Sequence, residues 1–78
     1  VPDLLAALAD IVEDVTRIPA RDVTPDATFA DDLDIDSLAM VEISAAVQDR
    51  LGVEIPDDRL KDLRTPRDVI TYVRAAAP

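Results

Sequence analysis

The 78-residue chain contains no cysteine, no histidine and no tryptophan, and only one glycine, one methionine, one phenylalanine and one tyrosine. Each absence excludes something. Without cysteine there are no disulfides and no thiolate zinc sites. Without histidine the commonest metal ligand and the near-neutral base are missing, so no serine here can become a hydrolase nucleophile through the usual base and orienter. With Gly52 as the only glycine, there is no Gly-rich phosphate cradle. No apolar run approaches the roughly 18 residues that span a bilayer. No basic-then-apolar signal segment opens the chain, so a cytoplasmic address is expected. The first residue is Val1 rather than Met, which reads as a processed or trimmed start.

What is present is mostly acid and small aliphatic side chains. Seventeen acids against eight bases leave a net charge of −9. Such a surface repels the phosphates of nucleic acid and favours solubility and steered encounter with basic partners. The length fits one small domain, residues 1–78, and a monomer. Its core must hold by packing alone, with Phe29 and Tyr72 as the only aromatics.

Apolar periodicity places the helices. Leu4, Leu5, Leu8, Ile11, Val12 and Val15 fall on one face of a helix over residues 3–16. Pro2 and Asp3 suit its first turn, and Pro19 ends the segment by pushing Ile18 out of helical geometry. From Ile18 to about Asp36 no period is sustained, and Pro19, Thr24, Pro25, Thr28 and several aspartates mark turns. A connection this long in so small a domain points to function or disorder. Val23, Phe29 and Leu33 favour an ordered loop pinned to the core.

A second helix is expected from Ser37 to Leu51, capped by Asp36 and closed by Gly52. Met40, Ile43, Val47 and Leu51 form its core stripe. Leu38, Glu42, Ala45 and Asp49 form a second stripe that mixes apolar and acidic groups and reads as a docking surface, although single exposed apolar residues are also ordinary. Val53–Pro56 is a short extended stretch, and Pro56 bars it from a central strand. Residues 57–63 allow a short helix with Leu60 and Leu63 inward. Thr65, Pro66 and Asp68 open a last helix in the manner of a short capping box, with Val69, Ile70 and Val73 facing inward. That helix frays at residues 75–78. The expected fold is all-α, a small four-helix bundle of three main helices and one short one, with a long loop between the first two.

Two chemistries compete for the centre of the chain. Asp32, Asp34 and Asp36 match positions 1, 3 and 5 of a calcium loop. The sixth position, however, is Ser37 where glycine is wanted, and the twelfth is Ile43 where a bidentate glutamate belongs. Leu33 and Ile35 also interrupt the acids. No dedicated metal site follows, only weak attraction of divalent cations. Carboxylates abound, but a bundle this small offers no cleft to raise one pKa above another, so an autonomous enzyme is not expected. Ser37 remains. It can be a helix-start residue chosen for local hydrogen bonding, or a hydroxyl displayed for modification at a helix N-terminus that would welcome a phosphate.

The stretch Asp36-Ser37-Leu38 followed by Met40-Val41-Glu42 resembles the attachment motif of acyl carrier proteins. The resemblance runs through the patterned first helix, the loop with Phe29 and Asp31-Asp32-Leu33, the segment Gly52–Asp57 and the Thr65-led last helix. Among carriers it is most similar to discrete carriers of bacterial type II fatty-acid synthesis, particularly the actinobacterial kind. It implies that Ser37, flanked by Asp36 and Leu38, accepts 4′-phosphopantetheine from coenzyme A through a phosphopantetheinyl transferase. Acyl groups would then ride as thioesters between malonyl transferase, ketosynthase and reductases. The prosthetic group would supply the sulfur that the chain lacks. The resemblance also implies docking by Asp36, Leu38, Val41, Glu42 and Asp49 on basic patches of those enzymes. Candidate residues sheltering the acyl chain are Leu8, Val12, Phe29, Met40 and Ile43, with Val47, Ile55, Leu60 and Ile70. Ordinary core packing accounts for each equally well.

The sequence departs from the family pattern in places. Gln48-Asp49-Arg50 replaces an acidic run late in the second helix, Ala39 stands where an acid often follows the Ser-Leu pair, and Arg59 and Lys61 bring positive charge to the third segment. A polyketide or peptidyl carrier is an alternative within the family, and an acidic helical adaptor without a prosthetic group is one outside it. Because self-repulsion at −9 is substantial, the melting temperature should rise with ionic strength and with millimolar magnesium or calcium. Thermal melts across a salt series check this, and a temperature indifferent to salt contradicts it.

Overall fold

A computed structural model describes residues 3–76 as four α-helices and one 3₁₀ turn, with no strand among the described residues. Val1 and Pro2, read above as a trimmed start and a first-turn proline, lie outside the described residues, as do Ala77 and Pro78 at the expected frayed end.

Helix α1 spans Leu4–Thr16. Asp3 precedes it as the N-cap rather than joining its first turn. Its backbone is extended, and its carboxylate accepts from the N–H groups of Leu5 and Ala6. The helix ends before Pro19 makes itself felt. Arg17 turns left-handed at φ 68°, its N–H donating to the Glu13 carbonyl, and Thr16 Oγ1 donates to the Val12 carbonyl while accepting from the Ile18 N–H. Proline's bar on helical geometry at Ile18 thus acts one residue upstream, where the chain must already be leaving.

Helix α2 spans Ser37–Leu51 between the expected caps. Asp36 is extended and accepts from the Ala39 N–H at 2.8 Å. Gly52 closes the helix at φ 73°, its N–H donating to the Gln48 carbonyl. The short α3 covers Asp57–Leu60, fewer residues than the stretch to Leu63 that was expected, with a turn at Lys61 and Asp62 completing it. Helix α4 covers Pro66–Ala76. Its entry is the reciprocal arrangement anticipated from sequence: the Asp68 N–H donates to Thr65 Oγ1, and the Asp68 carboxylate accepts from the Arg64 and Thr65 N–H groups.

Helix α1 packs on both α2 and α4, and α2 packs on α3. Leu8, Ile11 and Val12 meet Ile43 and Val47 of α2 and Val69 and Val73 of α4 in one contiguous core. Val53 and Ile55 are buried while Glu54 between them is exposed, the alternation expected of an extended stretch laid along a core. The long loop is ordered: Val23 and Phe29 are buried, Leu33 is half-buried, and Ala20–Asp22 form the 3₁₀ turn, which periodicity does not anticipate.

Gly52 tests the left-handed cap. A Cβ built there meets nothing within 4 Å, so Gly52→Ala carries only the backbone penalty of a left-handed residue. It should destabilise the fold by about 1–2 kcal/mol, measurable as a lower denaturation midpoint.

The loop is also held electrostatically. Arg67 of α4 donates through Nε and Nη2 to the Asp26 carboxylate, and this bond and charge lower the Asp26 pKa below the ordinary value. A depressed carboxylate contributes stability above its unfolded value of about 3.9, and loses it as pH falls through the folded value. Arg67→Gln should therefore lower the melting temperature slightly at neutral pH, and the gap from wild type should close in acid. Melts from pH 7 down to pH 2 read the difference directly.

Candidate functional site

Ser37 is the first residue of α2, and it is exposed. Asp36 places it there: the cap fixes where the helix begins, so the next side chain leaves from the first turn. The Ser37 hydroxyl has no hydrogen-bond partner among the described residues, and neither do the N–H groups of Ser37 and Leu38. One free hydroxyl thus stands beside two free N–H donors at the positive end of a fifteen-residue helix.

Beside Ser37 lies a groove of about 590 Å³. One wall is the loop carrying Phe29 and Ile35, another is the flank of α2 with Met40 and Val41, and the third is α3 and its following turn with Leu60 and Leu63. Phe29, Ile35 and Leu60 are buried at its floor, whereas Met40 and Leu63 are half-buried and Val41 is exposed. The walls are joined at the base. The Phe29 N–H donates to the Arg64 carbonyl at 2.9 Å, and the Phe29 carbonyl accepts from the Ile35 N–H at 2.8 Å.

The structure divides the nine residues proposed to shelter a chain. Phe29, Met40 and Leu60 line the groove together. Leu8, Val12, Ile43, Val47 and Ile55 are buried in the core away from it. Ile70 is half-buried and packs on that core. Ile35, Leu63, Lys61 and Arg64 also line the groove and were not among the sequence candidates. The one usable signal was Ile35 itself, an apolar side chain set between two aspartates, which a solvated acidic loop has no reason to contain.

The five docking candidates share the open side of α2. Leu38 is 69% exposed and Val41 46%, the two large apolar side chains most open to solvent. Asp36, Glu42 and Asp49 are exposed with them, and so is Ala45 of the mixed stripe. The acids before the helix have local duties. The Asp32 carboxylate accepts from the Thr28 N–H while Thr28 Oγ1 accepts from the Asp32 N–H, Asp36 caps α2, and Asp34 is left-handed at φ 53°. Among the described residues, no three acids converge as an ion-binding group.

Residues 6–73 match the family model described as the phosphopantetheine attachment site. The chain is 57% identical over 72 residues to the acyl carrier protein of Thermobifida fusca, covering 92% of this chain and 91% of that one. It is 50% identical over 72 residues to the meromycolate extension acyl carrier protein of Mycobacterium leprae, where it covers 92% of itself and 63% of the relative's length. Its fold superposes on an acyl carrier protein from Enterococcus faecalis with a TM-score of 0.77 at 27% identity, covering 95% of this chain and 94% of the other. The chain belongs to the acyl carrier protein family, whose members carry covalently attached 4′-phosphopantetheine.

Proposed function

We propose that Ser37 is the attachment residue and that the protein carries acyl intermediates of fatty-acid synthesis. The observation behind this is the placement of Ser37: exposed, unpartnered at its hydroxyl, at the N-terminus of α2 and on the lip of an apolar groove. The chain has no histidine to serve as a near-neutral base, and in this reading a phosphopantetheinyl transferase takes the hydroxyl proton. Ser37 Oγ attacks the phosphorus of coenzyme A that bears the pantetheine, a new O–P bond forms, and adenosine 3′,5′-bisphosphate leaves. The free N–H groups of Ser37 and Leu38 at the positive end of α2 are the donors that would favour a phosphodiester anion at the helix start. Once bound, the group supplies a thiol that accepts acyl chains as thioesters.

The rest of the chain's work is presentation. Leu38 and Val41 offer apolar anchors within a frame of Asp36, Glu42 and Asp49, and this surface suits basic patches on the transferase, malonyl transferase, ketosynthase and reductases. Buried residues at the base of α2 keep the helix fixed while its outer face is read.

Intact mass after incubation with coenzyme A, magnesium and a transferase of broad specificity tests the assignment. The wild type should gain one phosphopantetheine. Ser37→Ala should gain none while keeping its helical circular-dichroism spectrum, since an exposed hydroxyl without partners contributes little to the fold. An unmodified wild type beside a transferase shown active on another carrier would leave the chain an acidic adaptor. A mass gain on the alanine variant would move attachment to another residue.

A further inference from the structure

The groove beside Ser37 is not uniformly apolar. Lys61 and Arg64 line it, and both are exposed, so their charges lie at its mouth while Phe29, Ile35 and Leu60 form its floor. Among the described residues, neither the Lys61 ammonium nor the Arg64 guanidinium takes part in an ion pair or a side-chain hydrogen bond. Of the other six cations, Arg50 is paired with Asp14 and Arg67 with Asp26, while Arg17, Arg21, Arg59 and Arg74 also stand outside any ion pair among the described residues but do not line this groove. Arg64 is moreover fixed at its backbone on both sides, its N–H donating to Asp68 Oδ2 and its carbonyl accepting from Phe29. Its side chain therefore leaves from a rigid point.

We propose that Lys61 and Arg64 form a polar subsite at the mouth of this groove that favours acyl chains bearing a neutral oxygen close to the thioester, a 3-oxo group above all, over plain alkyl chains. The proposal rests on Ser37 being the attachment residue. An alkyl tail enters toward the floor, where aliphatic and aromatic side chains remove it from water, and this leaves the part nearest the thioester at the mouth. There a methylene gains nothing from two cations that must keep their hydration. A carbonyl oxygen accepts from them; lysine brings three N–H donors and arginine five. The rim also carries Asp31 and Asp57, which would repel a carboxylate and so favour a neutral oxygen over an anionic one. Attachment at the lip raises the effective concentration of the chain to the millimolar range for a short flexible tether, so a contact too weak to hold a free ligand still shifts the population.

The experiment compares cleavage of two thioesters on the intact protein by exchange with excess 2-mercaptoethanol, which attacks the thioester carbonyl and releases the pantetheine thiol. Octanoyl and 3-oxooctanoyl pantetheine are loaded from their coenzyme A esters, loading is verified by intact mass, and each cleavage rate is divided by that of the free pantetheine thioester. In the wild type the 3-oxo chain should be shielded at least as well as the alkyl chain. Lys61→Gln with Arg64→Gln should cut the shielding of the 3-oxo chain about threefold, as expected of a solvent-exposed charged contact, and leave that of the octanoyl chain unchanged. Both positions are exposed, and circular dichroism establishes that the double variant folds. Equal loss for both chains, or no loss for either, overturns the subsite while leaving the carrier assignment intact. Failure of both chains to attach to Ser37, with a transferase shown active on another carrier, overturns both.

Discussion

The peptide of Phe29 holds the site together. Its N–H donates to Arg64 in the link between α3 and α4, and its carbonyl accepts from Ile35, two residues before the helix on which Ser37 sits. The ring between those bonds is buried. One residue thus joins the middle of the long loop both to its own end, at the approach to α2, and to the distant link between α3 and α4. A buried backbone group without a partner is costly, so these bonds and the burial of the ring support one another. If the Phe29 anchor let go, the floor of the groove and the entry to α2 would shift together. A loop of nearly twenty residues can be ordered in so small a protein because its middle is fastened to both ends of the site.

The fold was legible where its causes are local. The period of apolar residues marks α1, α2 and α4, and Asp36 and Gly52 set the ends of α2 by capping and by a left-handed turn. The mutual hydrogen bonds of Thr65 and Asp68 follow from three residues read in order. What escaped were features with either too little length or too much separation. The 3₁₀ turn at Ala20–Asp22 has no room to display a period. Asp3 reads as a first-turn acid or as a cap with equal ease, since both place a carboxylate near free N–H groups, and only the extended backbone at Asp3 decides.

The site was legible in part for the same reason. Ser37 stands out because its neighbours along the chain define a helix start, and the open stripe of α2 follows from helical geometry alone. The groove does not, because its walls come from residues about thirty positions apart. A list of apolar positions cannot distinguish a side chain facing a groove from one packed on a neighbouring helix. Met40 and Val47 lie on the same stripe of α2, yet Met40 borders the groove and Val47 is fully buried. The difference is set by what covers each turn: α1 packs against α2 and helps bury Val47, while the loop and four-residue α3 border Met40.

Charge and packing meet at that uncovered end. The molecule is strongly acidic, and Asp31, Asp32, Asp34 and Asp36 crowd the approach to α2, where all four are exposed. The cations are used differently. Arg50 and Arg67 each bridge two segments and so strengthen the frame, whereas Lys61 and Arg64 stay unpaired beside the groove. A carrier has to be recognised by several enzymes and still shield what it carries, two demands that conflict if one surface serves both. Around the first turns of α2 the two surfaces meet at Val41, which is exposed and also lines the groove. The acidic and apolar outer face and the groove with its two cations lie on adjacent flanks there. Ser37 stands on the boundary between them, exposed at the start of α2 and on the lip of the groove.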